Sequence, residues 1–570
     1  MPGSLKRALA ALCAVVLAVP AGWTAPPDPS RRPKLVVILV VDQMRADYIT
    51  SYGHLWTKGL RRLIDHGAWF SEAAYPYLNT VTCAGHATIS TGTDPYKHGM
   101  ILNSWWNRST GRGEGCTSDS QTPLAGLGGE LQGGESAFRL RAPTFAQGLR
   151  AHFGEEHARV ASFSRKPRSA IMLAGPKANA VVWLGDEKRG IWTTSDAYTV
   201  YPFLETFVRR NPVERDYFKQ WKLALAKSKY MYKDSAPGEN PQPPQWTEQF
   251  PHALRNGSFQ ADSAYYDAWS DSPFADEYLA QLARTTTAAL NLGRGDGTDM
   301  LAISFSTLDA VGHDFGPRSF EVQDTLIRLD ATIGDLLDYL DRQVGRENYV
   351  VAFSSDHGVA EVPEQMKSEG RDAGRVPVDR VVETASKVLE KHFGSGRHVA
   401  AGMYTDLYFS NGMYEKLLAN PAVLNEVMAA IQGVPGIGRV FRGDQLPSKR
   451  ESQDPMERAA ALNYFPGRSG DLILVPKENW FFVPRRDATT TATHGTAHPY
   501  DARVPIIFFG AGIRPGKYAQ PATPADIAPT LATMVGFTMP EATGRVLHEA
   551  LVLPEKNQLA QPDSLLNSPK

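Results

Sequence analysis

Four short apolar segments of the chain lack the alternation that a half-exposed strand would show. They are 35–41 (LVVILVV), 300–305 (MLAISF), 349–353 (YVVAF) and 504–509 (VPIIFF). Continuous runs of this length are typical of strands that are buried on both faces of a parallel sheet. Between the second and third runs, apolar residues recur every three or four positions over 322–340, which predicts a helix with one core-facing stripe. A further helix is predicted over 524–535, before Gly536.

The order strand–helix–strand predicts an α/β fold with a mostly parallel central sheet and helices on both faces. Two stretches interrupt this order and are interpreted as inserted subdomains, the second of them a cap. The predicted organisation is a signal peptide at 1–25, catalytic core at 33–200, 281–360 and 481–552, insertions at 201–280 and 361–480, and a tail at 553–570.

The first residues have the pattern of a secretory signal. Lys6 and Arg7 precede an apolar run over 8–19 that is too short to span a bilayer, and small residues follow it. We therefore expect a periplasmic or secreted protein; the alternative is a helix that is buried or that anchors the chain in a membrane. No later segment has 18 uncharged apolar residues, so no membrane span is expected in the mature chain.

Composition excludes some classes of protein. Hydrophobic residues make up 42% and charged residues 21% of the chain, which is ordinary for a globular protein. The net charge of −1 offers no basic excess, so no nucleic-acid partner is expected, and we expect a monomer. Cys13 would leave with the signal, and spacing does not decide whether Cys83 and Cys116 pair.

Carboxylates follow three of the predicted strands. Asp42, Asp309 and Asp356 come just after them, at the end of the strands where open α/β sheets form their sites. Each aspartate alone would more often be a cap or turn residue. Two of them have histidines close by: His313 lies one helical turn after Asp309, and His357 follows Asp356 directly.

With His494, the set supplies three carboxylates and three imidazoles. Six such ligands suit two divalent ions such as zinc, with three protein ligands each and positions left open for substrate. Two metal ions close together can stabilise both the attacking and the leaving oxygen of a phosphoryl displacement. The sequence therefore predicts two Zn²⁺ ions.

A hydroxyl nucleophile is available in the segment 79–92 (NTVTCAGHATISTG), which has the pattern of a turn that enters a helix. A hydroxyl at a helix N-terminus would have its developing negative charge stabilised by free N–H groups. Thr80 and Thr82 both fit this description, and the simpler interpretation of Thr82 is a helix N-cap.

These segments together resemble a known family. The matching blocks, in chain order, are VVDQMRADY at 40–48, NTVTCAGHATISTG at 79–92, STLDAVGHDFGP at 306–317, FSSDHG at 353–358, THGTAHPYDARVPIIFFG at 493–510 and DIAPTLATMVG at 526–536. The chain resembles the alkaline phosphatase superfamily, in particular the bacterial phosphatases of the PafA type that use a single threonine. It is also similar to the nucleotide pyrophosphatases/phosphodiesterases. The two insertions match poorly.

The resemblance implies a role for each candidate residue. Thr82 would be the nucleophile and would itself contact a zinc ion. The expected ligands are Asp42, Asp356 and His357 for the zinc that activates Thr82, and Asp309, His313 and His494 for the other zinc. His498 is a rival for His494, which is preferred because the family's ligand precedes a glycine.

Three further residues match the family's phosphate-binding groups. Asn103 would donate a hydrogen bond to a phosphoryl oxygen, and Lys166 and Arg168 match the basic pair of the monoesterase branch. A monoester carries about one more negative charge than a diester, so extra cations favour it; arginine binds two oxygens at once, and lysine acts as a point charge. Without the resemblance, 166–168 would be interpreted as a solvated loop, and the adjacent Arg165 leaves the register open.

The predicted activity is zinc-dependent hydrolysis of small phosphate monoesters through a phosphothreonine intermediate, with release of inorganic phosphate. The alternative is a phosphodiesterase or nucleotide pyrophosphatase on the same site. The C/S-x-P-x-R pattern of arylsulfatases is absent at 83–87. A different class is a non-catalytic metal- or glycan-binding surface protein, for which the aromatic-rich stretch 201–260 would serve.

Overall fold

The computed structural model describes residues 32–552. The predicted signal peptide and tail lie outside the described residues. The α-helices are α1 (Tyr48–Tyr52), α2 (Gly59–His66), α3 (Thr82–Thr91), α4 (Pro95–His98), α5 (Phe145–Phe153), α6 (Pro167–Ala174), α7 (Pro202–Arg210), α8 (Ser263–Ser270), α9 (Pro273–Ala289), α10 (Thr307–Phe315), α11 (Phe320–Gln343), α12 (Pro363–Ser368), α13 (Val378–Phe393), α14 (Met413–Leu418), α15 (Pro421–Gln432), α16 (Pro455–Asn463), α17 (Pro499–Ala502) and α18 (Ile527–Val535).

The strands are β1 (Leu35–Val41), β2 (Ala68–Phe70), β3 (Ser104–Asn107), β4 (Arg112–Gly115), β5 (Ser118–Gly126), β6 (Gly134–Glu135), β7 (Val160–Ser164), β8 (Ala180–Asp186), β9 (Ile191–Ser195), β10 (Gln220–Trp221), β11 (His252–Ala253), β12 (Asp299–Phe305), β13 (Tyr349–Ser354), β14 (Gly374–Pro377), β15 (Val399–Met403), β16 (Asp406–Phe409), β17 (Ile437–Arg442), β18 (Leu472–Pro476), β19 (Trp480–Val483), β20 (Ile506–Gly510) and β21 (Gly516–Tyr518). In this part of the chain, eleven of them form one sheet in the order β21-β2-β20-β13-β1-β12-β7-β8-β9-β5-β6.

The centre of this sheet is parallel, as predicted. Strands β13, β1, β12, β7 and β8 lie side by side in one direction. The fourth predicted strand differs, because β20 begins only at Ile506 and runs antiparallel to β13. Pro505 precedes it and has no N–H to donate to a ladder, so the regular pairing starts after it. The predicted fold class is confirmed, with antiparallel pairings on both sides of the parallel centre.

Both faces of the sheet are covered. The odd-numbered residues of β1 pack in one hydrophobic cluster with α1, α2, α9 and α11, and its even-numbered residues pack in a second cluster with α3, α5, α6 and α18. The stripe predicted over 322–340 lies on α11 and is buried in the first cluster. Every residue of β1 is apolar and buried, and the first charged group comes directly after the strand, at Asp42.

The aromatic stretch after residue 200 is part of the main core. Trp221, Trp246 and Trp269 are at most 6% exposed and belong to the same cluster as α11. Rings buried in this way cannot stack on a sugar, so these tryptophans offer nothing to the glycan-binding alternative.

A second sheet lies in the later insertion. Strands β15, β16, β18 and β17 form it, and α13 and α15 pack on it around a separate hydrophobic cluster. We call residues 374–483 the cap subdomain. The turn at 404–405 joins β15 to β16. It lies near the carboxyl ends of the central strands, because Tyr404 lines the same cavity as Asp309.

Candidate active site

The three predicted carboxylates meet at the carboxyl ends of strands in the middle of the central sheet. Strand β1 lies between β12 and β13, so their carboxyl ends are neighbours. Asp42 follows β1 directly, Asp309 lies in the first turn of α10 after β12, and Asp356 follows β13. Each is at most 4% exposed. The topology of adjacent parallel strands therefore brings together carboxylates that are far apart in sequence.

The first group of candidate ligands surrounds His357. Its Nε2 atom lies 3.4 Å from Asp42 Oδ1 and 3.3 Å from Asp356 Oδ2. Ligand atoms of Asp42, Asp356 and His357 all lie within 4.8 Å of one another, which is the spacing that a shared metal ion requires. The Thr82 hydroxyl is 3.4 Å from the same imidazole nitrogen.

The second group surrounds Asp309. His313 is one turn further along α10, and its Nε2 atom lies 3.3 Å from Asp309 Oδ1. His494 Nε2 lies 3.6 Å from the same oxygen. Atoms of Asp309, His357 and His494 also lie within 4.8 Å of one another, so His357 stands between the two groups.

All three imidazoles are held in the same tautomer. His357 Nδ1 lies 3.0 Å from the carbonyl oxygen of Gly358, His313 Nδ1 lies 2.8 Å from that of Ala492, and His494 Nδ1 lies 2.9 Å from that of Thr80. A carbonyl only accepts, so each Nδ1 must carry the proton and donate it. Each Nε2 then presents its lone pair to the carboxylates, an arrangement typical of metal-binding histidines.

Two buried carboxylate oxygens also need a partner. Among residues 32–552, Asp42 Oδ1 and Asp356 Oδ2 accept no hydrogen bond. A buried charged oxygen without a partner is costly, and a metal ion would bind it directly. The donor set therefore fits a pair of divalent metal ions.

Lys166 neutralises part of this charge. Its ammonium lies 2.6 Å from Asp42 Oδ2 and 2.5 Å from Asp309 Oδ2, so it joins one carboxylate of each group. Burial and the charges of Asp309 and Asp356 raise the pKa of Asp42 well above its usual value. Burial opposes ionisation of Asp309 too, but the ammonium of Lys166 favours it, and the pKa of Asp309 lies well below its usual value. The cluster thus needs cations to be fully ionised.

A cavity lies beside these groups, and Thr82 is one of the residues that line it. This threonine is the first residue of α3, and Val81 is the N-cap, so Thr82 is not the cap that the simpler interpretation made it. The cavity has a volume of about 240 Å³. Its lining includes Thr82, Asn103, Arg168, Asp309, His313, Tyr404 and His494. Thr80, the other candidate, donates its hydroxyl to the Thr496 carbonyl at 2.8 Å.

The phosphate-binding candidates are placed differently from one another. Asn103 accepts the backbone N–H of Cys83 at 2.8 Å, which leaves its amide NH₂ for a ligand. Arg168 lines the cavity, and its Nε has no hydrogen-bond partner in the described part of the chain. Lys166 does not line the cavity, because Asp42 and Asp309 take its ammonium.

Two questions that the sequence left open are answered by the structure. Cys83 and Cys116 form a disulfide, and the N–H of Cys116 donates to the Asn103 carbonyl at 2.9 Å. His498 lies 3.1 Å from the carbonyl of Pro476 through its Nε2 and does not join the carboxylates, whereas His494 does.

Sequence reasoning missed three residues of the site. Gln43 donates to Asp309 Oδ1 at 2.7 Å, and His86 lies 3.2 Å from Asp356 Oδ2. The sequence could have indicated both residues by their closeness to predicted site residues. Gln43 follows Asp42 directly, and His86 lies one helical turn after Thr82. Tyr404 donates its hydroxyl to the carbonyl of His494 and had no sequence signal, because it belongs to the poorly matching insertion.

Comparison with known proteins identifies the family to which the chain belongs. The model of the family "Type I phosphodiesterase / nucleotide pyrophosphatase" matches residues 36–501, and the chain belongs to this family. Within it, the chain is 30% identical to alkaline phosphatase PafA of Elizabethkingia meningoseptica, over 91% of this chain and 95% of that protein. It is 29% identical to alkaline phosphatase PhoV of Synechococcus elongatus, over 92% of this chain and 94% of the relative.

The crystal structure of wild-type PafA superimposes with a TM-score of 0.83, at 29% identity, and covers 92% of this chain and 100% of that one. The prediction of an enzyme of the alkaline phosphatase type is confirmed by these similarities.

Proposed function

We propose that this protein hydrolyses phosphate monoesters with two zinc ions and Thr82 as the nucleophile, through a phosphothreonine intermediate. The observation that carries the proposal is the common tautomer of the three imidazoles. Each backbone carbonyl fixes a proton on Nδ1 and so turns an Nε2 lone pair toward buried carboxylates beside the Thr82 hydroxyl.

The ligands divide into two sets. Asp42, Asp356 and His357, with the Thr82 oxygen, would hold one ion, and Asp309, His313 and His494 would hold the other. Mixed imidazole and carboxylate donors suit zinc better than magnesium or calcium, which prefer oxygen alone. When bound, zinc supplies Lewis-acid stabilisation of the negative charge on the attacking and leaving oxygens.

The side chains of the chain itself perform the displacement. The deprotonated Thr82 Oγ attacks phosphorus, the bond from phosphorus to threonine forms, and the bond to the alcohol oxygen breaks. The alcohol leaves as its alkoxide and takes a proton from water. The N-terminus of α3 stabilises negative charge at this position. Water then cleaves the phosphothreonine and releases phosphate. Asn103 and Arg168 orient the non-bridging oxygens from the cavity wall, so positioning accounts for much of the catalysis.

Preference for monoesters is supported by Arg168. Arg168 lines the same cavity as Thr82, and its positive charge would favour the extra negative charge of a monoester. Asp42 and Asp309 hold the ammonium of Lys166. Lys166 could therefore bind a phosphate oxygen only when other cations neutralise these two carboxylates. The family match favours a second candidate, phosphodiester or pyrophosphate hydrolysis on the same site.

We also propose that the enzyme works as a monomer in the periplasm or outside the cell, on small phosphate esters. The disulfide supports an oxidising compartment, because such bonds persist there and are rare in the cytosol. A cavity of about 240 Å³ suits a small ester. Among residues 32–552, no helix is long and apolar enough to cross a membrane.

The test combines metal analysis with a matched pair of substrates. We expect about two zinc ions per chain, loss of activity on treatment with a chelator, and recovery when zinc is added back. The restored enzyme should hydrolyse an aryl phosphate monoester faster than the corresponding diester. Activity that survives the chelator would refute the metal site, and faster diester hydrolysis would select the second candidate.

A further inference from the structure

The cap subdomain reaches the active site through the turn between β15 and β16. Tyr404 occupies this turn with φ +58°, in the left-handed region that bulky side chains rarely adopt. Such a conformation persists where the surroundings hold it, and it often marks a functional position. The contacts of Tyr404 show what holds it here.

The ring of Tyr404 lies where two cores meet. It packs against both the second cluster of the main sheet and the cluster of the cap subdomain, with its centroid 5.8 Å from that of Phe482. It also covers Gly495, where a Cβ atom would lie 2.5 Å from Tyr404 Cε1. Gly495 also has φ +107°, which glycine adopts readily and other residues do not. The lack of room for a Cβ atom and this φ therefore both require glycine beside His494.

The hydroxyl of Tyr404 donates to the carbonyl oxygen of His494. The hydroxyl oxygen of the neighbouring Thr405 lies 2.9 Å from Asn79 Oδ1 and 2.7 Å from Asp406 Oδ2, so it contacts both side chains. Asn79 precedes Thr80, whose carbonyl accepts the Nδ1 proton of His494. The turn therefore contacts both chain segments that fix the orientation of the His494 ring.

We propose that Tyr404 is a positioning residue, which holds His494 so that its Nε2 faces Asp309, and that the cap subdomain is thereby part of the active site. The inference rests on the proposed function in one respect, the role of His494 as a zinc ligand. It adds a residue outside the ligand set, contributed by a segment with its own hydrophobic core.

The experiment measures zinc affinity of the full-length apo-protein by competition with a chelating indicator, together with kcat and KM on an aryl phosphate. In Tyr404→Phe the ring remains and the donor is lost. We expect one of the two zinc ions to bind about tenfold more weakly or worse, as for other groups that orient metal ligands, and kcat to fall more than KM changes.

Tyr408→Phe is the matched control. Tyr408 lies on β16 of the same hairpin and also donates to a backbone carbonyl, that of Arg468 at 2.8 Å. We expect its zinc affinities and kinetics to equal those of the wild type. Equal losses in both variants would show a general weakening of the hairpin and would overturn the inference.

A stability measurement guards against misfolding. Tyr404→Phe keeps the ring between the two hydrophobic clusters, so the zinc-free variant should melt at nearly the same temperature as the zinc-free wild type. If the wild type binds two zinc ions and Tyr404→Phe binds them equally tightly, the inference is wrong. If the wild type binds no zinc, the proposed function fails, and this inference fails with it.

Discussion

The imidazole rings of His357 and His494 stack face to face, with centroids 3.5 Å apart and planes inclined by 11°. One ring belongs to each candidate ligand group, so the stack fixes the position of one group against the other. Two protonated rings could not lie this close without strong repulsion. Burial lowers the pKa of His494 well below its usual value, and the neighbouring His357 lowers it further; burial also lowers the pKa of His357. Both rings are therefore neutral at neutral pH, which is the form that binds metal.

Removing the proposed nucleophile should abolish turnover without emptying the site. Thr82→Ala should lower kcat on an aryl monoester by roughly 10³-fold or more, the scale seen when a nucleophile is deleted. Zinc content should remain near that of the wild type, because six other ligands are present. Steady-state kinetics and metal analysis check both statements.

Thr80→Val is the matched control for Thr82→Ala. It deletes the hydroxyl that donates to Thr496 and keeps the backbone carbonyl that orients His494. We expect a loss of no more than about tenfold, as for one neutral hydrogen bond. Near-normal turnover in Thr82→Ala, or a greater loss in Thr80→Val, would show that Thr82 is not the nucleophile.

Arg168 should set the preference between monoesters and diesters. Arg168→Ala is expected to lower kcat/KM for an aryl monoester by roughly 10- to 100-fold, since hydrogen bonds to charged groups contribute about 1.5–3 kcal/mol. The diester has one charge fewer and should lose much less. Arg112, exposed on the β3–β4 hairpin, provides the control Arg112→Ala, which should leave both rates unchanged. A proportional loss on both substrates would contradict the assigned role.

Asp276 should make stability depend on pH. It is buried on α9, where it accepts the N–H of Ser306 at 3.3 Å, and burial raises its pKa to about 7. A raised pKa in the folded state contributes stability below the unfolded pKa of about 4, and this is lost as the pH rises through about 7. Asp276→Asn removes the ionisation, so the variant should match the wild type near pH 4 and be more stable at pH 8, on the order of 4 kcal/mol.

Thermal denaturation of the full-length enzyme across this pH range measures the difference for Asp276→Asn. Asp335, with a side chain that is 63% exposed, gives the control Asp335→Asn, for which we expect a flat difference. An equal stability difference between Asp276→Asn and the wild type at both ends of the range would show that ionisation of Asp276 does not affect stability, and a greater loss at pH 8 than at pH 4 would show that the ionised carboxylate stabilises the fold.

Much of the site could be predicted because its signals are local. Asp42, Asp309 and Asp356 stand out since each follows a mostly apolar run that predicts a buried strand, and His313 lies one helical turn from Asp309. The resemblance then selected Thr82 over Thr80, and the structure places Thr82 on the cavity. The direction of β20 could not be predicted, because an apolar run shows that a strand is buried but not which way its neighbour runs.

The amino-acid sequence by itself determined the class of fold, the carboxylates at the ends of the central strands and the family. Those features depend on burial and residue order within short segments. The tertiary structure alone decided the pairing of Cys83 with Cys116, the capture of Lys166 by two carboxylates and the contact of Tyr404 with His494. These contacts join residues 33 to 143 positions apart, and no local pattern encodes which distant side chains will meet when the chain packs.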